Sequence, residues 1–240
     1  MKKIITTALI AISMISYAQE KQGHIAVAIG GARPVGNFAS KNINNDDAGY
    51  ATNGISYEVS VAYKIKESNF GVTGMFHYQF NHSDLTSLDI SNQGGLGITQ
   101  SVSATSTWAI SGLMAGGFGE FPITEKVVFT SRAMFGFLKA TSPDIKISGR
   151  TPAIPPYYTS QEFRYFQPAQ ISSSLSYLLG IGLKVNIGKR FNLLLNYDYI
   201  GLKPTFDTSK LTDDKKNDDK GSFKQSMSSL NLTAGFAFRF

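Results

Sequence analysis

The chain has 240 residues, a formal net charge of +6 and no cysteine. Without cysteine, disulfides, zinc–thiolate sites, thiol catalysis and a lipid-modified N-terminal cysteine are excluded. The surplus of lysine and arginine is modest and spread along the sequence, so we predict no nucleic-acid partner.

The first 18 residues predict a secretory signal peptide. A basic start at Lys2 and Lys3 is followed by an apolar run over 4–17 and by the small residue Ala18. This run of about 14 apolar residues is shorter than the roughly 20 that a membrane-spanning helix needs. We therefore expect export through the Sec pathway, cleavage after Ala18 and a mature domain over residues 19–240.

From residue 23 onward the sequence predicts strands, because residues alternate in polarity and turn residues separate the segments. The eight predicted strands are approximately 23–31, 53–65, 69–81, 104–119, 126–140, 172–187, 190–202 and 226–240. Most of them have about 10 residues or more, the length that a tilted strand needs to cross a bilayer.

The connections between these segments alternate strictly in length. The short connections are 66–68, 120–125 and 188–189, and the long polar ones are 32–52, 82–103, 141–171 and 203–225. Short periplasmic turns and long outside loops are typical of bacterial outer-membrane barrels. We predict an all-β fold: a transmembrane, eight-stranded, antiparallel up-and-down β-barrel with both termini in the periplasm.

Each predicted strand has an apolar and a polar face. The apolar face should contact lipid, because burying the charged mid-strand groups in an apolar core would cost several kcal/mol each. Aromatic residues near the strand ends predict interfacial girdles. The candidates are Tyr63, Phe70, Phe118, Phe121, Phe191 and Phe240 at the periplasmic edge, and Tyr78, Phe80, Trp108, Phe137 and Tyr199 at the outer edge.

These features resemble the small outer-membrane β-barrel proteins: opacity-like proteins, the transmembrane domain of the major outer-membrane protein A and the PorT-like barrels of Bacteroidetes. The resemblance rests on the signal peptide, the eight strands and the C-terminal alternation Phe236, Phe238 and Phe240. It implies that this alternation is an assembly signal read by the barrel assembly machinery. It also implies a location in the Gram-negative outer membrane, with membrane lipids and lipopolysaccharide as partners.

Charged residues on the polar faces predict a network inside the lumen. Its members are Glu58, Lys64, Arg132, Lys184, Asp198 and Arg239. Eight strands leave an interior just wide enough for side chains to fill, and arginine–carboxylate pairs neutralise each other there. A plugged lumen is therefore favoured, and a narrow channel for ions or small solutes is the alternative.

The longest connection, 141–171, predicts an interaction surface. Its candidate contact residues are Tyr157, Tyr158, Phe163, Tyr165 and Phe166. Aromatic side chains offer a large contact area at low entropy cost, although they would also suit packing on the barrel rim or the outer leaflet. We expect a non-enzymatic protein with a structural or adhesion role and a possible extracellular or outer-membrane protein partner.

Two chemical alternatives rank lower. The run His82-Ser83-Asp84 has the residue types of a hydrolase, which makes a lipid-modifying enzyme the third hypothesis, but neighbouring strand residues point in opposite directions. The acids between Asp207 and Lys220 are matched by lysines and lack the ligand spacing of a calcium loop. We expect no catalytic residue, no metal and no cofactor.

Overall fold

The computed structural model describes residues 23–66, 68–91, 99–151, 153, 159–207 and 221–240, so the predicted signal peptide lies outside the described residues. The strands in these ranges are β1 (Gly23–Val35), β2 (Ala51–Lys64), β3 (Phe70–Ser83), β4 (Ile90–Ser91), β5 (Thr99–Ala104), β6 (Trp108–Pro122), β7 (Val127–Thr141), β8 (Ile145–Arg150), β9 (Glu162–Gln167), β10 (Ile171–Ile187), β11 (Phe191–Leu202), β12 (Thr205–Asp207), β13 (Ser222–Lys224) and β14 (Met227–Arg239). The described helical segments are two 3-10 turns, Gly36–Ala39 and Thr86–Leu88. No helix in the described ranges is long and apolar enough to cross a membrane.

Eight long strands close an antiparallel barrel in the order β1-β14-β11-β10-β7-β6-β3-β2. The first strand bridges the seam, because Ile25 is opposite Val61 of β2 on one side and Phe238 of β14 on the other. Every barrel strand therefore has two partners, and no backbone edge of the barrel is left unpaired. The predicted all-β fold and its eight-stranded closure are confirmed.

The two ends of the barrel differ, as predicted. The short connections after β2, β6 and β10 lie at one end, which we call the turn end. Gly188 adopts φ +65 there, a conformation that glycine adopts without steric cost. The chain also meets itself at this end, where the backbone N–H of Gly23 donates to the carbonyl oxygen of Phe240 at 3.3 Å. The long connections lie at the opposite end, the loop end.

The loop end contains folded structure that the sequence pattern does not predict. Strands β4, β5, β8 and β9 form a four-stranded sheet, the loop sheet, and β12 pairs with β13. The loop sheet joins two separate connections, since Ser101 of β5 is opposite Ser148 of β8. These strands have only two to six residues, so an alternation such as Ile145-Lys146-Ile147-Ser148 is too short to stand out within a long polar connection.

The barrel wall is apolar outside and largely polar inside. Leu113 and Phe137 expose 68% and 71% of their surface to the outside, whereas His77 and Asp198 are fully buried in the interior. Successive residues of a strand point to opposite faces, so the period-two sequence pattern determines this division. The predicted orientation of the two faces is confirmed.

Two of the predicted girdle residues are instead interior residues of β6. Trp108 is 6% exposed, and its indole Nε1 donates to the carbonyl oxygen of Gly49 at 3.0 Å. The ring of Phe118 lies inside the barrel, with its centroid 6.1 Å from that of His24. The prediction for these two residues was wrong because β6 turns mainly small residues outward, and Trp108 and Phe118 share its inward face with Met114.

Candidate functional site

The barrel interior has three levels between the turn end and the loop end. A cavity lined by charged residues lies nearest the turn end. An arginine with two carboxylates lies above it, and a cluster of apolar side chains fills the loop end. The chemistry of the lumen therefore changes along its axis from charged to apolar.

The middle level is an ion cluster formed by Glu58, Arg132 and Asp198. The Arg132 Nη2 atom is 2.7 Å from Glu58 Oε2 and 2.6 Å from Asp198 Oδ2, and Nε donates to Asp198 Oδ1 at 2.8 Å. Asp198 is thus held by two parallel hydrogen bonds, the strongest arrangement for this pair of groups. Both carboxylates are almost fully buried, so the guanidinium supplies their charge compensation inside the barrel.

A glycine makes room for this cluster. Arg132 lies on β7 and Asp198 on β11, and in the strand between them Gly180 is opposite both residues. A Cβ atom on Gly180 would lie 1.9 Å from Asp198 Oδ1 and 3.1 Å from Arg132 Cγ. The pair can therefore close over β10 only because no side chain occupies that position.

A ladder of polar side chains continues from the ion cluster toward the loop end. The Gln79 side chain bridges β3 and β14: its Nε2 donates to Asn81 Oδ1 at 2.6 Å, and its Oε1 accepts from Asn231 Nδ2 at 2.9 Å. The hydroxyl of Ser229 donates to the same oxygen at 3.1 Å. The bonds from Asn231 and Ser229 join β14 to β3, which are not neighbours in the barrel, so they brace the interior across the two strands between them, β1 and β2.

The loop end of the lumen is closed by apolar side chains, which we call the apolar seal. Its members are Phe38, Trp108, Ile110, Met114, Met134, Leu138, Leu178, Ile200, Phe206 and Met227. The rings of Phe38 and Phe206 lie 5.7 and 5.9 Å from the ring of Trp108. Phe38 belongs to a 3-10 turn and Phe206 to β12, so the long connections fold back into the mouth of the barrel.

The turn end of the lumen holds the remaining predicted network residues. Lys64, Lys184 and Arg239 line a cavity of about 210 Å³ together with Glu120. Lys184 forms an ion pair with Glu120, which the sequence pattern had placed in a turn and not in the lumen. The structure therefore divides the six predicted residues into a central group of three and a turn-end group of three.

The predicted contact residues lie on the loop sheet where the structure describes them. Phe163 packs over Gly149, and its ring centroid is 5.7 Å from that of Tyr165. Tyr165 and Phe166 are 39% and 40% exposed. Tyr157 and Tyr158 lie outside the described residues.

Ion pairs stabilise the loop end outside the barrel wall. Arg150 donates to Glu162 across β8 and β9 at 2.7 Å, and this hydrogen bond lowers the pKa of Glu162. Hydrogen bonds from Lys41 and Thr86 lower the pKa of Asp84 to about 2. The second contact ties the first long connection to the end of β3.

The catalytic and metal-binding candidates from the sequence do not lie together in the described part of the chain. His82 is exposed with its ring against Phe80, whereas His77 is buried in the lumen. Of the acidic run that begins at Asp207, all but this first residue lies outside the described residues. Within the described part of the chain, no group of three or more His, Asp or Glu residues could hold a metal ion.

The aromatic alternation at the C-terminal end lies on the outer wall. Phe236 and Phe238 are 65% and 40% exposed, and the ring of Phe238 packs 5.5 Å from that of Phe191. This pair lies at the turn end, where β11 begins and β14 ends.

A comparison with known protein families agrees with this architecture. A family profile described as outer membrane protein beta-barrel domain matches residues 4–240. Among solved structures, Neisserial surface protein A is 11% identical with a TM-score of 0.48, and the alignment covers 91% of this chain and 97% of that chain. A major outer membrane protein from Thermus thermophilus is 13% identical with a TM-score of 0.46, covering 91% and 99%. Ail, the attachment invasion locus protein of Yersinia pestis, is 17% identical with a TM-score of 0.40, also covering 91% and 99%. No curated protein matches this chain.

Proposed function

This chain belongs to the outer membrane protein beta-barrel domain family, and from that premise we propose a non-enzymatic outer-membrane protein with a closed lumen and an interacting loop end. The observation that carries the proposal is the apolar seal. Phe38 and Phe206 both pack against Trp108 in the mouth of the barrel. Ions would have to shed their hydration to pass such a plug, which is very unfavourable in an apolar medium.

The ion cluster supports the same conclusion from a second level. Arg132 binds carboxylates of β2 and β11, so it spans the lumen. Breaking a buried pair of this kind costs about 3–5 kcal/mol. An open channel would have to break these contacts or pass around them in a barrel of only eight strands.

The environment of the protein follows from its two faces and its two ends. The apolar outer wall suits the membrane lipids, and the loop end suits the cell surface with its lipopolysaccharide. Export would begin with the signal peptide over residues 1–18 and the Sec pathway. The barrel assembly machinery would then read the terminal aromatics, since Phe236 and Phe238 present their rings on the outer wall.

The loop sheet is the proposed contact surface for an extracellular or outer-membrane protein partner. Tyr165 and Phe166 point to opposite faces of β9, and both are exposed. The sheet holds them on a hydrogen-bonded backbone, so little backbone order has to be gained when a partner binds.

Conductance tests the closed lumen. Purified protein, shown to be folded by its heat-modifiable gel mobility, would be inserted into a planar bilayer. We expect no discrete current steps. A variant with Trp108→Ala and Phe206→Ala, which removes the centre of the seal, serves as the comparison. Stable current steps from the wild-type protein would contradict the closed lumen and would favour the alternative, a narrow channel.

Site-directed crosslinking tests the contact surface. A photoreactive amino acid at position 166, on the loop sheet, is compared with one at Ile43, an exposed residue of the first long connection. We expect an adduct of defined mass from position 166 on intact cells, and its loss when Arg164, which lies on the same face of β9, is replaced by serine. Equal adducts from both positions, or none from position 166, would contradict the proposal.

A further inference from the structure

We propose that the turn-end cavity binds a small oxyanion, a carboxylate or a phosphate. The cavity has a volume of about 210 Å³ and is lined on several sides by cationic side chains. A smaller cavity of about 50 Å³ continues from it toward Arg132. The site goes beyond the proposed function, and only its position on the periplasmic side rests on that proposal.

The charge of the lining favours an anion. Lys64, Lys184 and Arg239 face a single described carboxylate, that of Glu120. Lys184 and Glu120 neutralise each other in an ion pair. The two cations that are left have no carboxylate partner in the described part of the chain, so the cavity carries uncompensated positive charge.

Hydrogen-bond donors in the cavity wall and directly behind it lack acceptors. One terminal nitrogen of Arg239 donates to the carbonyl oxygen of Gly188 at 3.1 Å, but its Nε atom is buried without a partner among the described residues. Asn192 is opposite Asn186, a residue of the cavity wall; Asn192 itself is fully buried, and the Nδ2 donor of its amide has no described partner. Buried donors of this kind are normally satisfied, and an oxyanion supplies several strong acceptor positions at once.

The route into the cavity is limited to the turn end. The ion cluster lies beyond its inner wall, and the apolar seal closes the far end of the lumen. An anion would therefore enter and leave by the same opening. Lys64 and Arg239 lie on the last inward positions of β2 and β14, beside that opening, where they would attract an approaching anion.

Titration with inorganic phosphate tests the proposal. The purified protein in zwitterionic detergent would be titrated by calorimetry at constant ionic strength, with chloride as the balancing anion. We expect saturable binding with one site per chain. Because a charge-assisted hydrogen bond is lost, Lys64→Gln and Arg239→Gln should each weaken binding roughly ten-fold.

Matched variants separate a built site from a general charge effect. Lys66→Gln removes one positive charge from an exposed turn at the same end of the barrel and should leave binding unchanged. Lys64→Arg keeps the charge and should retain binding. Gel mobility confirms that each variant is folded. Absence of saturation, or equal weakening by Lys66→Gln, would overturn the proposal.

Two further arms identify the source of the oxyanion. Acetate in place of phosphate tests a carboxylate ligand, and nanodiscs with and without phosphatidylglycerol test a lipid headgroup. Weaker phosphate binding in the phosphatidylglycerol discs would assign the site to the headgroup, and unchanged binding would assign it to a soluble anion. Phosphate binding is measured independently of conductance. The proposal of an oxyanion site and the proposal of a closed lumen can therefore be contradicted separately.

Discussion

Arg132 and Asp198 form a bidentate ion pair over an intervening strand, at the level where that strand contributes Gly180. The two residues are 66 positions apart in sequence, and neither strand pairs directly with the other. The pair therefore depends on the register of two strand pairings and on the absence of a side chain between them.

Substitution of Gly180 by alanine should break this pair. The new Cβ atom would lie 1.9 Å from Asp198 Oδ1 and would displace the carboxylate from Arg132. We expect the free energy of unfolding to fall by about 3 kcal/mol, as for other broken buried ion pairs. Urea unfolding in lipid vesicles measures this value. Gly74→Ala is the control, because its Cβ would meet nothing closer than Val61 Cγ1 at 3.9 Å. Equal effects of the two substitutions would contradict the role of Gly180.

Removal of the arginine should cost more than removal of the whole ion cluster. Arg132→Met leaves Glu58 and Asp198 buried without a counter-charge, and we expect a loss of about 3–5 kcal/mol in unfolding free energy. Adding Glu58→Gln and Asp198→Asn should recover most of that loss. Arg190→Met, an exposed cation in the turn before β11, should change stability by less than about 0.5 kcal/mol. If the triple variant were as unstable as Arg132→Met, charge compensation would not be the function of the cluster.

The fluorescence of Trp108 should report an interior position. It is the single tryptophan of the chain, and it is 6% exposed inside the mouth of the barrel. We expect weak quenching by brominated lipids, because the barrel wall separates the indole from the bilayer. A Trp108→Phe, Tyr57→Trp variant moves the fluorophore to an outward position that is 41% exposed and should be quenched strongly. Equal quenching of the two proteins would place Trp108 on the outer wall.

The contact between Lys41 and Asp84 should titrate only at strongly acidic pH. Hydrogen bonds from Lys41 and Thr86 lower the pKa of Asp84 from 3.8 to about 2. Because the pKa is lower in the folded protein, the contact stabilises the fold above about pH 4 and loses this effect as the pH falls through about 2. The pair is exposed, so the gain should stay below about 1 kcal/mol. Carbon NMR of the Asp84 carboxyl group measures its pKa, which Lys41→Ala should raise; an unchanged value would rule out the contact.

Most of the fold could be predicted from the alternation of apolar and polar residues along each strand. Once the start of a strand is known, the alternation alone places Glu58, Arg132 and Asp198 on its polar face, and the three side chains meet in the ion cluster. For Trp108 and Phe118 the alternation holds, but the wrong face was assigned to the lipid. The rule that the bulkier face of a strand meets lipid is reversed in β6, whose outward residues are mainly small.

The contacts within the lumen could not be predicted in the same way. The pairing of Arg132 with Asp198 depends on strand register around part of the barrel, which local sequence does not encode. Glu120 falls so near a turn that its inward direction is visible only from the last pairs of β6 with β7. The apolar seal takes Phe38 and Phe206 from two distant connections, and no local periodicity links them.

The loop sheet has a consequence for antibodies raised against the loop end of the barrel. Strand β8 lies between β5 and β9, so its backbone is hydrogen-bonded on both sides. A peptide with the sequence of β8 alone lacks both neighbours and should be a poor mimic of the native surface. The epitopes of this surface are therefore shared between two connections, and sequence variation in one of them has to remain compatible with the strand that it pairs with in the other.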